Sequence, residues 1–361
     1  MMLRSQPRVM IALAANGRGG PYVVHKRILE SRLSERYDLV ALSIPRARIL
    51  LSPVGMRRFV RHIRANKPDI VQCPGLELVG FLSVLACRLA GVEGIVLAVH
   101  GSTNEAVQVS KYGKLIGNLL EILTLRMVTV YYGVSSYVVN WPNMRRYASK
   151  CYGIIYNLPA APDSSGDDNT SIRSELGLSV SATVIVSTGR ITREKGYEVL
   201  YNAMIEMDRR EGVRFVIVGD GEYLETMKEK IKKYKLEEYV LFLGYRSDIG
   251  RILSGSDIFV LCTLHETLSN SIIEAGQQGL PSVASNVGGI PDIIADGYNG
   301  ILVPVGNSEA VVNALNKLIY NDQLRKGMGS NARETVKERF SPDSILNRLD
   351  DVYSRVLTDA H

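Results

Sequence analysis

Twice along this chain, short runs rich in β-branched and apolar residues alternate with helical stretches, and that alternation leaves few folds open. In the first half "RVMIALAA" precedes a helix from about residue 22, and "YDLVALSI" precedes one over about 56–66. "DIVQC", the helix "LVGFLSVLACRLAG" and the strand "GIVLAVHG" follow. A second series comprises "TVIVSTG", "RFVIVGDG", "YVLFLG", "DIFVLCT", "PSVASN" and "GILVP", again separated by helical patterns. Strands alternating with helices form parallel sheets covered on both faces. Between the two series, the polar "APDSSGDDNT" at 161–170 reads as a linker. The expectation is an α/β protein of two doubly wound, Rossmann-like domains facing a cleft, at 1–160 and 171–340. A last helix is expected over 342–357, within 341–361.

In such sheets ligands sit beyond the carboxyl ends of the strands. Residues placed there carry the chemistry. Gly189 ends "TVIVSTG", and Arg190 and Lys195 follow it before the next helix. Two cations so close to a strand end can neutralise a diphosphate, arginine as a fork and lysine as a point charge. Glu266 lies on the loop after "SDIFVLCT", and Glu274 lies in the first turns of a helix over about 270–278, capped by Ser269 or Asn270. The amides at that helix start attract anions. A carboxylate for hydroxyls beside amides for phosphate suits a nucleotide sugar. "NGRGGP", with Gly17, Gly19 and Gly20, follows the first strand, either as a tight turn or as a place where backbone N–H groups approach phosphate. His100 closes the strand "GIVLAVH". His25 and His62 read as surface helix residues, and His265 as structural.

The Gly-Arg pair, the Lys-Gly pair and the later Glu–seven residues–Glu element resemble glycosyltransferase family 4, retaining enzymes of the GT-B fold. The resemblance implies that Arg190, Lys195, Glu266 and His100 are catalytic. It implies donor contacts from Gly19, Gly20, Gly189, Gly221, Tyr245, Arg246, Thr267, Leu268, Ser269, Asn270 and Glu274. Thr267, Leu268 and Ser269 stand where that family usually has Gly-aromatic-Gly. The last helix would cross back to the first domain. The implied activity is transfer of a hexosyl unit from a nucleotide diphosphate sugar, UDP favoured, to a lipid-linked or glycan acceptor of cell-envelope polysaccharide. A nucleotide-sugar 2-epimerase and a catalytically silent sugar-binding protein are the alternatives. The glycine spacing is not G-x-G-x-x-G and no acidic residue ends the second strand, which disfavours a nicotinamide-dependent dehydrogenase.

No Asp-x-Asp occurs and the four cysteines form no Cys-x-x-Cys pair, so no metal or other cofactor is expected. Widely spaced cysteines without a secretory signal suggest reduced thiols and a cytoplasmic protein. No apolar run reaches the length of a membrane span. Residues 1–160 hold 21 Lys and Arg against 8 Asp and Glu, whereas 161–361 hold 22 against 29. That asymmetry is either scatter over a solvated surface or the mark of an anionic partner. The candidate contacts are the basic face of "MRRFVRHIRANK" (Arg57, Arg58, Arg61, Arg64, Lys67) and the segment 109–126 with Lys111, Lys114, Tyr112, Leu115, Leu119 and Leu123. They suggest peripheral association with the inner face of the cell membrane. Nucleic acid is disfavoured, since no nucleic-acid-binding motif accompanies the basic residues.

Overall fold

The computed structural model describes residues 6–14, 19–102, 110–160, 172–207 and 212–359. The linker segment at 161–170, Gly17 and Val109 lie outside the described residues. The chain forms two compact units, Met1–Leu158 together with Pro342–His361, and Pro159–Ser341.

The first unit holds β1 (Arg8–Ala14), β2 (Asp38–Ile44), β3 (Ile70–Pro74), β4 (Gly94–Val99), β5 (Val130–Gly133) and β6 (Cys151–Ile154). The second holds β7 (Thr183–Thr188), β8 (Val213–Val218), β9 (Val240–Gly244), β10 (Ile258–Leu261), β11 (Ser282–Ser285) and β12 (Gly300–Val303). The sheet orders are β2-β1-β3-β4-β5-β6 and β12-β11-β10-β7-β8-β9, and neighbouring strands run parallel throughout. The α/β, doubly wound reading of the sequence is borne out. All six residues of β4 and all four of β10 are buried, as central strands covered on both faces require. In each sheet the chain works outward in one direction and then returns to build the other, so β1 and β3, and β7 and β10, flank a topological switch point. Crossovers diverge there and leave a crevice at the carboxyl ends.

Helix starts follow their caps. The helix Pro53–Asn66 begins three residues earlier than the apolar pattern suggests, because Ser52 Oγ accepts from Gly55 N–H at 3.0 Å and Pro53 supplies a preset φ. Phe59 and Ile63 bury its apolar face. Pro342–Asp359 packs on the first sheet, where Ile345, Leu346, Leu349, Val352, Tyr353 and Val356 join Val9, Ile11, Val96, Ala98, Val24 and Ile28 in one core. Full burial of each such aliphatic side chain is worth about 1.5–3 kcal/mol, so the last helix is structural to the first unit. Cys73 and Cys87, fourteen positions apart, bring their sulfurs to 3.9 Å because β3 packs on the helix that follows it, and both are free thiols.

Candidate active site in the second unit and a buried histidine pair in the first

From β7 the chain passes through Gly189 and the exposed Arg190 into a turn that closes at Gly196. Gly196 has φ of +71°, and a Cβ there would fall 1.7 Å from the carbonyl oxygen of Cys262. Only glycine lets this turn lie against the end of β10. Leu264 N–H and Thr263 Oγ1 donate to Glu194 O at 2.9 and 3.3 Å, which joins the two loops. On the far side a Cβ on Gly288 would fall 1.7 Å from Glu266 O, and Gly289 N–H donates to that carbonyl at 3.1 Å. Glu266 is thus fixed through its main chain. Its carboxylate meets Lys195, with Nζ to Oε2 at 2.6 Å and side chains only 19% and 12% exposed. The switch-point topology makes this meeting possible, since the loops after β7 and β10 are neighbours there.

Ser269, not Asn270, caps the helix Asn270–Gln277, its Oγ accepting from Ile272 N–H at 3.3 Å. Asn270 opens that helix and Glu274 stands half-buried on it. Thr267 is half-buried, whereas Leu268 and Ser269 are buried. Gly221 lies beyond β8, its N–H bonded to Asp220 Oδ1 at 2.8 Å. Tyr245, past β9, is 83% exposed. The Arg246 side chain is committed elsewhere. It forks onto Asp248 at 2.7 and 2.6 Å and reaches Glu175 at 2.9 Å, and Arg251 joins the same two carboxylates. Hydrogen bonding from Arg246 holds the Asp248 carboxyl well below the usual carboxylate range. Arg190 makes no ion pair among the described residues.

In the first unit Gly19, at φ +100°, precedes the helix Gly20–Leu29, and both Gly19 and Gly20 are exposed. His100 follows β4; burial, then the neighbouring His25, pushes its imidazole down to about 3. His25 corrects the sequence reading: it is 1% exposed, not a surface residue. It shares the inward face of its helix with Val24 and Ile28, and its Nδ1 bonds Ala12 O at 2.7 Å, which removes the penalty of an unpaired buried imidazole. Burial lowers it to about 4. Gly288, Gln72 and Tyr353 escaped the sequence reading. Only the Gly-Gly pair at 288–289 offered a signal. Among the described residues no group of three or more His, Cys, Asp or Glu could hold a metal ion, and no helix is long and apolar enough to cross a membrane.

Residues 168–335 match the profile of the family described as Glycosyl transferases group 1. An N-acetyl-alpha-D-glucosaminyl L-malate synthase of Bacillus anthracis is 24% identical, over 94% of this chain and 95% of the relative. A UDP-Gal:alpha-D-GlcNAc-diphosphoundecaprenol alpha-1,3-galactosyltransferase of Escherichia coli is 29% identical, over 81% of this chain and 76% of the relative. This chain is a glycosyltransferase. Its fold is GT-B: Anabaena Alr3699/HepE, solved in complex with UDP-glucose, superposes with a TM-score of 0.77 at 20% identity, covering 96% of this chain and 99% of that one. The family match falls on the glycosyltransferase's second sheet and includes Gly189, Arg190, Lys195, Glu266 and Glu274. Gly19, Gly20 and His100 precede it.

Proposed function

We propose that this glycosyltransferase moves a hexosyl unit, with retention of configuration, from a UDP-sugar to a lipid-linked or glycan acceptor of cell-envelope polysaccharide. The contact of Lys195 with Glu266 at the β7–β10 switch point, with the exposed Arg190 on the same turn, carries the reading. In it the bond from sugar C1 to the leaving phosphate oxygen breaks as the acceptor oxygen bonds C1 on the same face. The leaving phosphate oxygen takes the acceptor's proton, so no protein base is assigned. Arg190 and Lys195 stabilise the charge developing on the diphosphate. N–H groups from Thr267 to the start of the helix Asn270–Gln277 receive phosphate oxygens. Glu274 holds ribose hydroxyls, Glu266 the sugar, and the backbone at Gly221, Tyr245 and Arg246 the nucleoside. Gly19, Gly20 and His100 act from the first unit. Two similar proteins support the donor and acceptor: the Escherichia coli relative is named for UDP-Gal and a GlcNAc-diphosphoundecaprenol acceptor, and Anabaena Alr3699/HepE was solved with UDP-glucose.

The diphosphate is held by cations and amides, since the sequence has no Asp-x-Asp to bring a divalent ion. Turnover is expected to persist in excess chelator, and loss restored by magnesium or manganese overturns that part. The decisive experiment is a nucleotide-sugar panel scored by thermal stabilisation, followed by transfer or hydrolysis assays of Arg190→Ala and Lys195→Ala with the best donor. Each variant should lose about a hundredfold in kcat or more. Near-wild-type rates in either would remove the diphosphate clamp.

The same reading places the protein in the cytoplasm, peripheral to the inner face of the cell membrane. Residues 45–67 and 110–120 contain no acidic residue. Around their basic side chains stand Leu51, Val54, Tyr112, Leu115, Ile116 and Leu119, each more than half exposed. Cations beside exposed apolar side chains fit an anionic lipid surface. Arg64 is exposed as well, and its guanidinium donates to Leu89 O at 2.8 Å at the end of the helix Leu78–Ala90.

A further inference from the structure

Lys195 is aimed by its ion pair with Glu266. The exposed Arg190 is in no ion pair among the described residues, so its main chain sets where it points. That main chain is held on both sides by the turn after β8. Before Arg190, Gly189 N–H donates to Val218 O at 3.0 Å. A Cβ on Gly219 would fall 1.8 Å from Gly189 O, so only a bare Cα lies against that carbonyl. After Arg190, both main-chain groups of Ile191 are bonded to the same turn. Its N–H donates to Asp220 O at 2.9 Å, and its carbonyl accepts from Tyr223 N–H at 3.0 Å. A Cβ on Gly221 would fall 2.3, 2.7 and 2.8 Å from Ile191 O, C and N. Ile191 and Tyr223 bury their own side chains, which anchors this contact from both turns.

The two glycines answer different demands. Gly219 has φ of +140°, a conformation that strains any L side chain whatever the space around it. Gly221 has no φ in the left-handed region, so alanine adds no strain of that kind there. The demand for glycine at 221 comes from the neighbouring turn: a methyl group there must push Ile191, and with it the residue before.

We propose that Gly219 and Gly221 are positioning residues for the diphosphate clamp: the turn after β8, bare of Cβ atoms where it meets Gly189 and Ile191, fixes the main chain on either side of Arg190 and so aims its guanidinium. This rests on the reading that Arg190 stabilises the leaving diphosphate, and it gives Gly221 a role besides its backbone contact with the nucleoside. A charge mounted on a fixed main chain needs no reorganisation as the diphosphate leaves, which is the condition under which such a group contributes most. A misplacement of about 1 Å can lower a rate by about a hundredfold.

A double-mutant cycle on transfer or hydrolysis with the best UDP-sugar tests it. Gly221→Ala should lower kcat by about tenfold or more and leave KM nearly unchanged, since the displaced charge acts in the transition state. In the Arg190→Ala background the same substitution should change kcat by less than about twofold, because the group it displaces is gone. Gly219→Ala should show the same dependence on Arg190 with a larger loss. Equal losses in both backgrounds would overturn the proposal, because a turn that only supports the fold or the nucleoside acts whether or not Arg190 is present. Wild-type kcat in Gly221→Ala would overturn it as well. Should neither glycine variant fold, Asp220→Ala asks the same question from an exposed position, where the carboxylate accepts from Gly221 N–H at 2.8 Å. Its kcat should fall by about threefold or more, again only with Arg190 in place. No loss, or an equal loss in both backgrounds, defeats the positioning role and leaves the clamp standing. Near-wild-type turnover in Arg190→Ala removes the clamp and the positioning role together.

Discussion

At the scale of single residues, the Lys195–Glu266 pair has an outcome opposite in sign to simple loss of a binding group. The two side chains are mostly buried and in direct contact at 2.6 Å, so each already satisfies the other. A diphosphate that engages Lys195 must compete with Glu266, and a sugar hydroxyl that engages Glu266 must compete with Lys195. Both exchanges happen together only when the intact donor binds. Glu266→Gln should therefore free Lys195 and tighten UDP by about tenfold, since a charge-assisted hydrogen bond is worth roughly 1.5–3 kcal/mol. Turnover with the UDP-sugar should fall by about a hundredfold, because the sugar loses its partner. Calorimetric titration with UDP alone checks the first half; unchanged or weaker UDP binding defeats the competition argument. Residue chemistry was legible here because charged pairs near strand ends stand out in a sequence. The His25 environment was not, because Ala12, Gln72 and His100 lie on other strands and strand ends and meet it only through sheet order.

At the scale of elements, two helices set the surface of the first unit. Pro53–Asn66 buries Phe59 and Ile63 and exposes Arg57, Arg58 and Arg61, while Lys111–Met127 exposes Lys111, Tyr112, Lys114, Leu115 and Ile116. Sedimentation with anionic vesicles should fall with salt in the intact protein, since the Debye length is about 8 Å at physiological ionic strength. Lys111→Glu with Lys114→Glu should weaken it several-fold at low salt. Leu115→Ser with Ile116→Ser should weaken whatever remains at high salt, where apolar insertion carries the binding. Equal uptake by neutral and anionic vesicles would remove the electrostatic half of this docking. The amphipathic periodicity that reveals such helices also sets the limits of what sequence reveals. Strand and helix identity follow from local pattern, so the alternating architecture was readable. Of the outward-facing apolar residues, Tyr112, Leu115 and Leu119 were named from the sequence, whereas Leu51, Val54 and Ile116 were not, because a local pattern gives a stripe its width but not which edge of it a neighbouring helix covers. Helix starts were displaced for a related reason: Ser52 caps through one side-chain bond and Pro53 fits N1, neither of which contributes to an apolar period.

At the scale of the whole molecule, the chain's last helix belongs to the core of its first unit, so the unit closes only when the final residues are in place. The consequence can be measured with the protein's single tryptophan. Trp141 lies in the first unit and is 7% exposed, and the second unit contains no tryptophan. Its fluorescence in urea therefore reports the first unit alone. Leu349 is 1% exposed on the last helix, packed with β1, β4 and the helix Gly20–Leu29. Leu349→Ala removes three buried carbons and leaves a cavity, which costs about 2–5 kcal/mol. The Trp141 transition should move to lower urea with its slope unchanged, as a loss of stability without a change in exposed surface requires. UDP affinity at low denaturant should stay near its wild-type value, because Arg190, Lys195, Glu274 and the N–H groups from Thr267 to Asn270 all lie in Pro159–Ser341. A chain ending at Ser341 is the stronger form of the same test. Six core side chains vanish at once, roughly 9–18 kcal/mol of burial, as large as the whole stability of about 5–15 kcal/mol usual for a domain. Trp141 should then be solvent-exposed without denaturant. A native Trp141 signal in that truncated chain would mean that the first sheet closes without its last helix, and that 345–356 packs on it without sustaining it.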